Sequence, residues 1–386
     1  MKLLCTSDWH AHNFTDFAKT LSVVWNEKSL RYVEVEPDEN NLEIKEMNSR
    51  LFNILKSICD MRDYCLKNSI TDMLMPGDMF HHRGTIDVTV FNAMYKVLDS
   101  YYQLGITIHA VAGNHDQVDA SIVPVSAIHA FREIIHVIEK PEYFTIKDQV
   151  EVVAIPYSKD KSFVLESMKK LRELCKEPRQ AILMVHLGID GGLVGSGMYM
   201  MSDEYTLRDL MYDKWKYVIA GHYHQPQILE YNSIYCGTPV QNNFGDELKG
   251  KDGYNGFFVV DTDRRWNVEF VPIIAPRFIT FSSAEELEAA DAEYIKSNYV
   301  RVKSKASDAE EIQGKLEEML GDDTQGVRLE LEKDYTVEQR SEVSVTQSFD
   351  ESVKTYAEER WENKDTLSYG LSQGLDILAE ALSGGK

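Results

Sequence analysis

Five short clusters of histidine, aspartate and asparagine lie in the first 225 residues. They are Asp8-Trp9-His10, Gly77-Asp78, Gly113-Asn114-His115-Asp116, a lone His186 closing the apolar run AILMVH, and Gly221-His222-Tyr223-His224. Imidazole and carboxylate together suit Mn, Fe or Zn, whereas Mg prefers oxygen and water. In an extended segment, residues two apart point the same way, so Asp8 with His10, and His222 with His224, each offer two ligands to one side. A carboxylate such as Asp78 can bridge two cations with its two oxygens. Two cations about 3.5–4 Å apart can clamp the attacking and leaving oxygens of an in-line displacement. Taken singly, each cluster is weak: Asn and Gly favour turns, and a lone histidine on a buried strand is more often a core residue. Five in sequence, each where an apolar strand meets a loop, point to one metal site, because α/β sheets build their sites at the carboxyl ends of strands.

The elements that would carry these loops can be read from pattern. Lys2–Thr6 reads as a buried strand, and residues 48–67 place Leu51, Ile54, Leu55, Ile58, Met61 and Cys65 at helical spacing. Asp72–Pro76 and Thr107–Ala112 read as strands and Asp87–Tyr102 as a helix; a second helix is expected over 121–133. Strand–helix alternation is expected to continue to Lys216, giving an α/β layered core. Residues 13–47, with the acidic, Asn-rich Glu34–Asn41, read as a surface excursion with a hairpin. Gln227–Tyr231, Gly256–Asp261 and Asn267–Ile273 suggest an antiparallel sheet that finishes a first domain over 1–275. A smaller α/β module follows over 276–335, with a capping box at Ser283–Glu286, strands at Tyr299–Lys305 and Val327–Glu332, and a helix near 307–320. Residues 336–347 read as a linker. The segment 348–386 reads as two short amphipathic helices, one lined by Phe349, Val353, Tyr356, Ala357 and Trp361, the other by Leu367, Leu371, Leu375, Leu378 and Leu382. Helices this short are marginal alone and must bury their stripes on each other or on a partner.

Composition sets the outer limits. Hydrophobic residues make up 43% of the 386, enough for a sizeable core, and the net charge is −22. From residue 280 onward 25 acids face 12 Lys and Arg, so 25 − 12 = 13 of that excess lies in the last third. Such a balance argues against nucleic-acid binding by a diffuse basic surface, although two divalent cations can invert the field locally. The five cysteines are scattered and form no C-x-x-C pair, which suggests a reducing, cytoplasmic setting. The expectation is of no signal peptide and no membrane span.

The ordered set D-x-H, G-D, G-N-H-D, H and G-H-x-H resembles the signature of calcineurin-like metallophosphoesterases. The resemblance implies a four-layer fold, a β-sandwich flanked by helices. It also implies that Asp8, His10 and His224 hold one metal, that Asn114, His186 and His222 hold a second, and that Asp78 bridges them. His115 would contact the phosphate and protonate the leaving oxygen, with a metal-activated water as nucleophile. Gly77-Asp-Met-Phe-His-His-Arg83 further resembles the G-D-L-F-H stretch of SbcD-type nucleases, the nuclease subunits of Mre–Rad-class double-strand-break repair complexes. In these, the histidine three after the aspartate, at His81 in this chain, bears on exonuclease action. Serine/threonine phosphatases of the superfamily carry G-D-x-x-D-R-G, where this chain has His81 and His82. His12 and His82 carry no family role. The resemblance implies two Mn2+ ions, with Mg2+ as the alternative, and double-stranded DNA ends as substrate. It also implies a homodimer through helices 87–102 and 121–133, and a coiled-coil SbcC/Rad-type ATPase partner gripped by 348–386. Size and acidity are similar to phage versions of the subunit. Lys19, Arg83, Lys159, Lys161, Lys249 and Lys251 are candidate phosphate contacts; DNA affinity is expected to come largely from the partner.

Overall fold

In a computed structural model the chain divides into two compact units, Met1–Leu331 and Glu332–Lys386. The structure describes residues 1–119, 125–194, 199–200, 205–230, 232–248, 253–264, 267–305, 309–320, 325–332, 349–360 and 366–383. The linker, Trp361, Lys249 and Lys251 lie outside the described residues.

Two six-stranded sheets form the centre of the first unit. In spatial order the first is β17 (Val268–Pro272), β16 (Gly256–Asp261), β1 (Lys2–Cys5), β5 (Asp72–Met75), β6 (Thr107–Val111) and β7 (His136–Ile138). The second is β14 (Gln227–Glu230), β15 (Ser233–Tyr235), β13 (Tyr217–Gly221), β10 (Ile182–His186), β9 (Val150–Ile155) and β8 (Glu142–Ile146). Inward-facing Leu3, Cys5, Leu74 and Val111 of one meet Val152, Ile182, Met184 and Ile219 of the other in a dry core. The outer face of the first sheet carries helices α1 (Ser49–Lys67) and α2 (Val88–Gln103), and that of the second carries α3 (Lys161–Arg172). The result is the expected four layers. Strands buried on both faces read as continuous apolar runs, which is why LLC, DMLM and ILMVH show no alternation. Helix α1 begins where Asn48 accepts from the backbone N–H groups of Arg50 and Leu51, and Asp87 caps α2 through Thr89. Each such cap contributes about 1 kcal/mol.

Within the first sheet β1, β5, β6 and β7 run parallel, as do β9, β10, β13 and β15 within the second. The carboxyl ends of β1, β5, β6, β10 and β13 carry the five motif loops.

Three expectations need correction. Strand–helix alternation breaks after β6, where β7, β8 and β9 follow in succession and β8–β9 is an antiparallel hairpin. Its turn uses Lys147 and Asp148 at positive φ (49° and 54°), without the Asn-Gly or Asp-Gly pair that marks such turns. The β-rich stretch 227–273 does not form a sheet of its own: β14 and β15 extend the second sheet, and β16 and β17 the first. Of the helix expected over 121–133, the described part is a 3-10 turn over Ala127–Phe131.

The excursion is a three-stranded antiparallel sheet of β2 (Thr20–Asn26), β3 (Arg31–Glu34) and β4 (Lys45–Asn48). The remaining short ribbon pairs β11 (Leu193–Val194) with β12 (Tyr199–Met200). The module after Pro276 is a sheet of β18 (Phe278–Phe281), β19 (Tyr299–Lys305) and β20 (Val327–Glu332), with α4 (Ala284–Glu288), α5 (Ala292–Lys296) and α6 (Ala309–Leu320). It has a core of its own around Leu287, Ile295, Val300 and Ile312. Phe17 joins the excursion to this module through Phe244, Phe278 and Tyr299, with the Arg50 guanidinium over Phe14, Phe278 and Tyr299. In the second unit α7 (Phe349–Arg360) and α8 (Leu367–Ser383) pack on each other, and a Cβ on Gly374 would lie 3.2 Å from Val353. No described helix is long and apolar enough to cross a membrane.

Candidate metal centre

The first two motif loops run side by side: the backbone N–H groups of Asp8, His10 and Ala11 donate to the carbonyls of Gly77, Asp78 and Met79. The motif glycines allow this closeness. A Cβ on Gly113 would overlap the Asp78 carboxylate, and one on Gly221 would overlap the Pro76 carbonyl. Asp8, His10, Asp78 and His222 all hold positive φ (53°, 46°, 58° and 112°). Such conformations cost about 1–3 kcal/mol each and cluster at functional sites.

All nine residues singled out by sequence, Asp8, His10, Asp78, His81, Asn114, His115, His186, His222 and His224, come together here. His10 Nε2 lies 3.0 Å from His224 Nε2. Asn114 Oδ1 lies 2.8 Å from His186 Nε2 and 3.0 Å from His222 Nδ1. Asp78 Oδ2 is 3.3 Å from His186 Nε2 and 3.8 Å from His10 Nε2. The ligand atoms of Asp8, His10 and His224 fall within 4.8 Å of one another, as do those of Asp8, Asp78 and His186. His81 stacks on His115 at 5.5 Å, and its Nδ1 is 3.4 Å from that of His10.

The donor set fits divalent cations. His186 Nδ1 donates to the Pro76 carbonyl (2.7 Å) and His224 Nδ1 to Asp246 (2.8 Å). In its neutral form each ring would turn its lone pair at Nε2 inward, toward the Asn114 oxygen or the His10 ring. With no cation, burial opposes a second proton on these rings, but Asp78 and Asp246 outweigh it and lift both pKa values to about 9. Acceptors facing acceptors at such distances in a buried site are satisfied by a cation held among nitrogen and oxygen ligands. Burial, with help from neighbouring imidazoles, holds His10 well below its ordinary pKa and His222 down at about 3. Burial opposes ionisation of Asp78 as well, but the charge and hydrogen bond of His186 outweigh it and keep the carboxyl below the usual range.

A model of the calcineurin-like phosphoesterase family matches residues 1–226, more than half of the chain. The chain belongs to the calcineurin-like phosphoesterases. Members of that family bind a dimetal centre. The chain is also similar to exonuclease subunit 1 of Enterobacteria phage T4, 26% identical over 214 residues, 54% of this chain and 58% of that one. The match thus spans little more than half of the relative's length. Among solved structures, the protein TT1561 of Thermus thermophilus has a TM-score of 0.38 at 9% identity over 70% of this chain and 98% of its own. A dimetal phosphatase from Danio rerio has 0.33 at 9% over 67% and 91%. Scores this low carry no argument about the chain.

Three residues of this phosphoesterase site had no assigned role in the sequence reading. Asp116 is buried and accepts from the backbone N–H groups of Asp78 (2.9 Å), Phe80 (3.0 Å) and Gly113 (3.0 Å), so it splices the second and third loops together. Its place in Gly-Asn-His-Asp was the available signal. Tyr157 stacks on His222 at 6.1 Å. Asp246 fixes the His224 ring and accepts from the Asn242 N–H; burial works against a proton on His224, yet Asp246 lifts its pKa to about 9. Nothing in spacing marks Asp246, which reaches the site from a 3-10 turn over Phe244–Asp246. Partners that orient a ligating histidine are worth about 10–100-fold in metal affinity. Asp246→Ala is expected to weaken one cation by that factor in calorimetry and leave the other near its wild-type affinity.

Proposed function

We propose that this phosphoesterase is the nuclease subunit of an SbcCD/Mre–Rad-type complex. It would hydrolyse DNA phosphodiester bonds with Mn2+, as a 3′–5′ exonuclease and an endonuclease, in double-strand-break processing, recombination and replication. The observation that carries the reading is the placement of His81. The residue by which the second motif resembles SbcD-type nucleases stacks on His115 and faces His10 inside the site. The partial match to a phage exonuclease subunit supports the same reading.

In this proposal Asp8, His10 and His224 hold one cation, Asn114, His186 and His222 a second, and Asp78 is shared. When bound, the cation pair supplies charge to the phosphate and lowers the pKa of a water to about 7. The protein's own groups do the rest. His115 is oriented at both ends: its backbone N–H donates to Asp78 Oδ1 (2.8 Å), and its Nδ1 donates to the His81 carbonyl (2.5 Å). A carbonyl only accepts, so Nδ1 carries one proton; the proton passed to the leaving oxygen is a second one, held at Nε2 of the imidazolium, and its departure returns the ring to neutral. Burial and the neighbouring His115 hold His81 down at about 4, so its ring packs on His115 uncharged.

The proposed division is a nuclease domain over 1–275, a capping domain over 276–335 and an ATPase-binding segment over 348–386. A homodimer through α2 is supported by that helix's outward side chains Val88, Tyr95 and Tyr102, which are 70%, 43% and 60% exposed. Lys161 is paired with Asp209 at 3.1 Å, so it is less free to meet phosphate than Lys19, Arg83 or Lys159. The test compares the Mn2+-loaded protein, with and without the ATPase, on linear duplex DNA and on bis(p-nitrophenyl) phosphate. Cleavage of both is expected, and hydrolysis of the small ester alone would reassign the enzyme to another phosphodiester. Deleting residues 348–386 is expected to spare metal binding and abolish binding to the ATPase in a pull-down. Retained binding would place that contact elsewhere.

A further inference from the structure

Beyond His81 the rings continue outward. His12 lies 5.3 Å from His81 and 4.4 Å from His82, His82 lies 5.3 Å from His81, and Phe14 packs on both His81 (4.8 Å) and His12 (5.1 Å). His12 and Phe14 are half-buried and His82 is exposed. The packing contacts of His12 and His82 are with other rings, and the Asp87 carboxylate acts on His12 through its charge. Neither imidazole belongs to the proposed ligand set. The file His115–His81–His12 steps away from the leaving-group acid at ring spacings of 5.5 and 5.3 Å. In the proposed mechanism, which sets the phosphate beside His115, the outer members of this file lie up to two ring steps from it.

The charge balance gives such a platform a reason to exist. With a net charge of −22, the chain cannot grip a strand mainly by neutralising phosphates. Base stacking is a further sequence-tolerant source of affinity that needs no positive charge, because every base presents a π face. We infer that His12 and His82, backed by Phe14, form a stacking platform for the nucleobase that flanks the scissile phosphate. This rests on the nuclease reading, and it makes His12 and His82 substrate-positioning residues.

The test is a protein-by-substrate cycle read by equilibrium binding, with Ca2+ replacing Mn2+ to prevent cleavage. The full chain, its His12→Ala/His82→Ala variant and its His12→Phe/His82→Phe variant are titrated with oligonucleotides in which each base flanking the terminal phosphodiesters is in turn abasic. One abasic position is expected to weaken wild-type binding by roughly tenfold. The alanine variant should lose that sensitivity, and the phenylalanine variant should recover it. A wild-type ratio near one at every position, or the same ratio in the alanine variant, would overturn the platform alone. A wild-type chain that binds none of the oligonucleotides even with the ATPase present, while still hydrolysing bis(p-nitrophenyl) phosphate, would overturn the nuclease reading and the platform with it.

Discussion

Asp78→Ala is expected to remove both cations at once, and with them the hydrolytic activity. The carboxylate is 2% exposed and divides its work between its oxygens. Oδ1 accepts the His115 N–H; Oδ2 lies between His186, assigned to one cation, and His10, assigned to the other. Truncation takes a ligand from each proposed site and frees the loop that carries His115. Losing a partner that merely orients a ligand costs about 10–100-fold in affinity, so losing a shared ligand should exceed about 100-fold at both sites. Calorimetry would show two sites in the wild type and none in the same concentration range for the variant. Two tight sites in Asp78→Ala would refute the bridging role. Asp78→Asn separates the functions: its amide oxygen can still accept from His115, so the third loop stays in place while the charge between the cations is gone. That variant should still unfold cooperatively in chelator, at a lower midpoint because the charge pairing with His186 is gone, and bind metal poorly.

Much of this site was legible because its signals are local. Leu51, Ile54, Leu55, Ile58 and Cys65 fall on one helical stripe, Asn48 caps it, and α1 appears where the period says. Each ligand loop follows an apolar run, and three of them open on a glycine (Gly77, Gly113 and Gly221), so the strand ends could be placed without knowing the sheet. What failed depends on pairing between distant segments. Whether Gly256–Asp261 adds to the first or the second sheet is decided by Leu3 and Leu4 facing Val260 and Val259 across the ladder. No periodicity within 256–261 encodes that choice. The same holds for Asp246, which acquires its role when a turn 22 residues after His224 folds back on the ring. Phe17 is a third case. It sits in no apolar run, between Asp16 and Ala18, and its partners Phe244, Phe278 and Tyr299 come from beyond residue 240. The excursion therefore reads as decoration in sequence, whereas in the fold it ties the module after Pro276 to α1.

His115→Asn tests the chemistry more sharply than any ligand change, because it should leave the metals alone. The contact that orients the backbone at 115 runs from the main-chain N–H to Asp78, and asparagine retains it. The asparagine amide can still donate to the His81 carbonyl in place of Nδ1, so the loop has little reason to move. What is lost is the second nitrogen, the atom able to carry a proton to the departing oxygen. General acid catalysis is worth roughly 10²–10⁴-fold. A fall of that size in kcat on duplex DNA is expected, with both cations still bound in calorimetry. The loss should depend on the leaving group. The departing deoxyribose oxygen is a poor leaving group that needs the proton, whereas p-nitrophenolate leaves readily without one. The variant should therefore be crippled on DNA and much less impaired on bis(p-nitrophenyl) phosphate. An equal loss on both substrates would make His115 a phosphate-binding group and not an acid. An unchanged rate on DNA would remove it from the mechanism and leave protonation of the leaving oxygen to solvent.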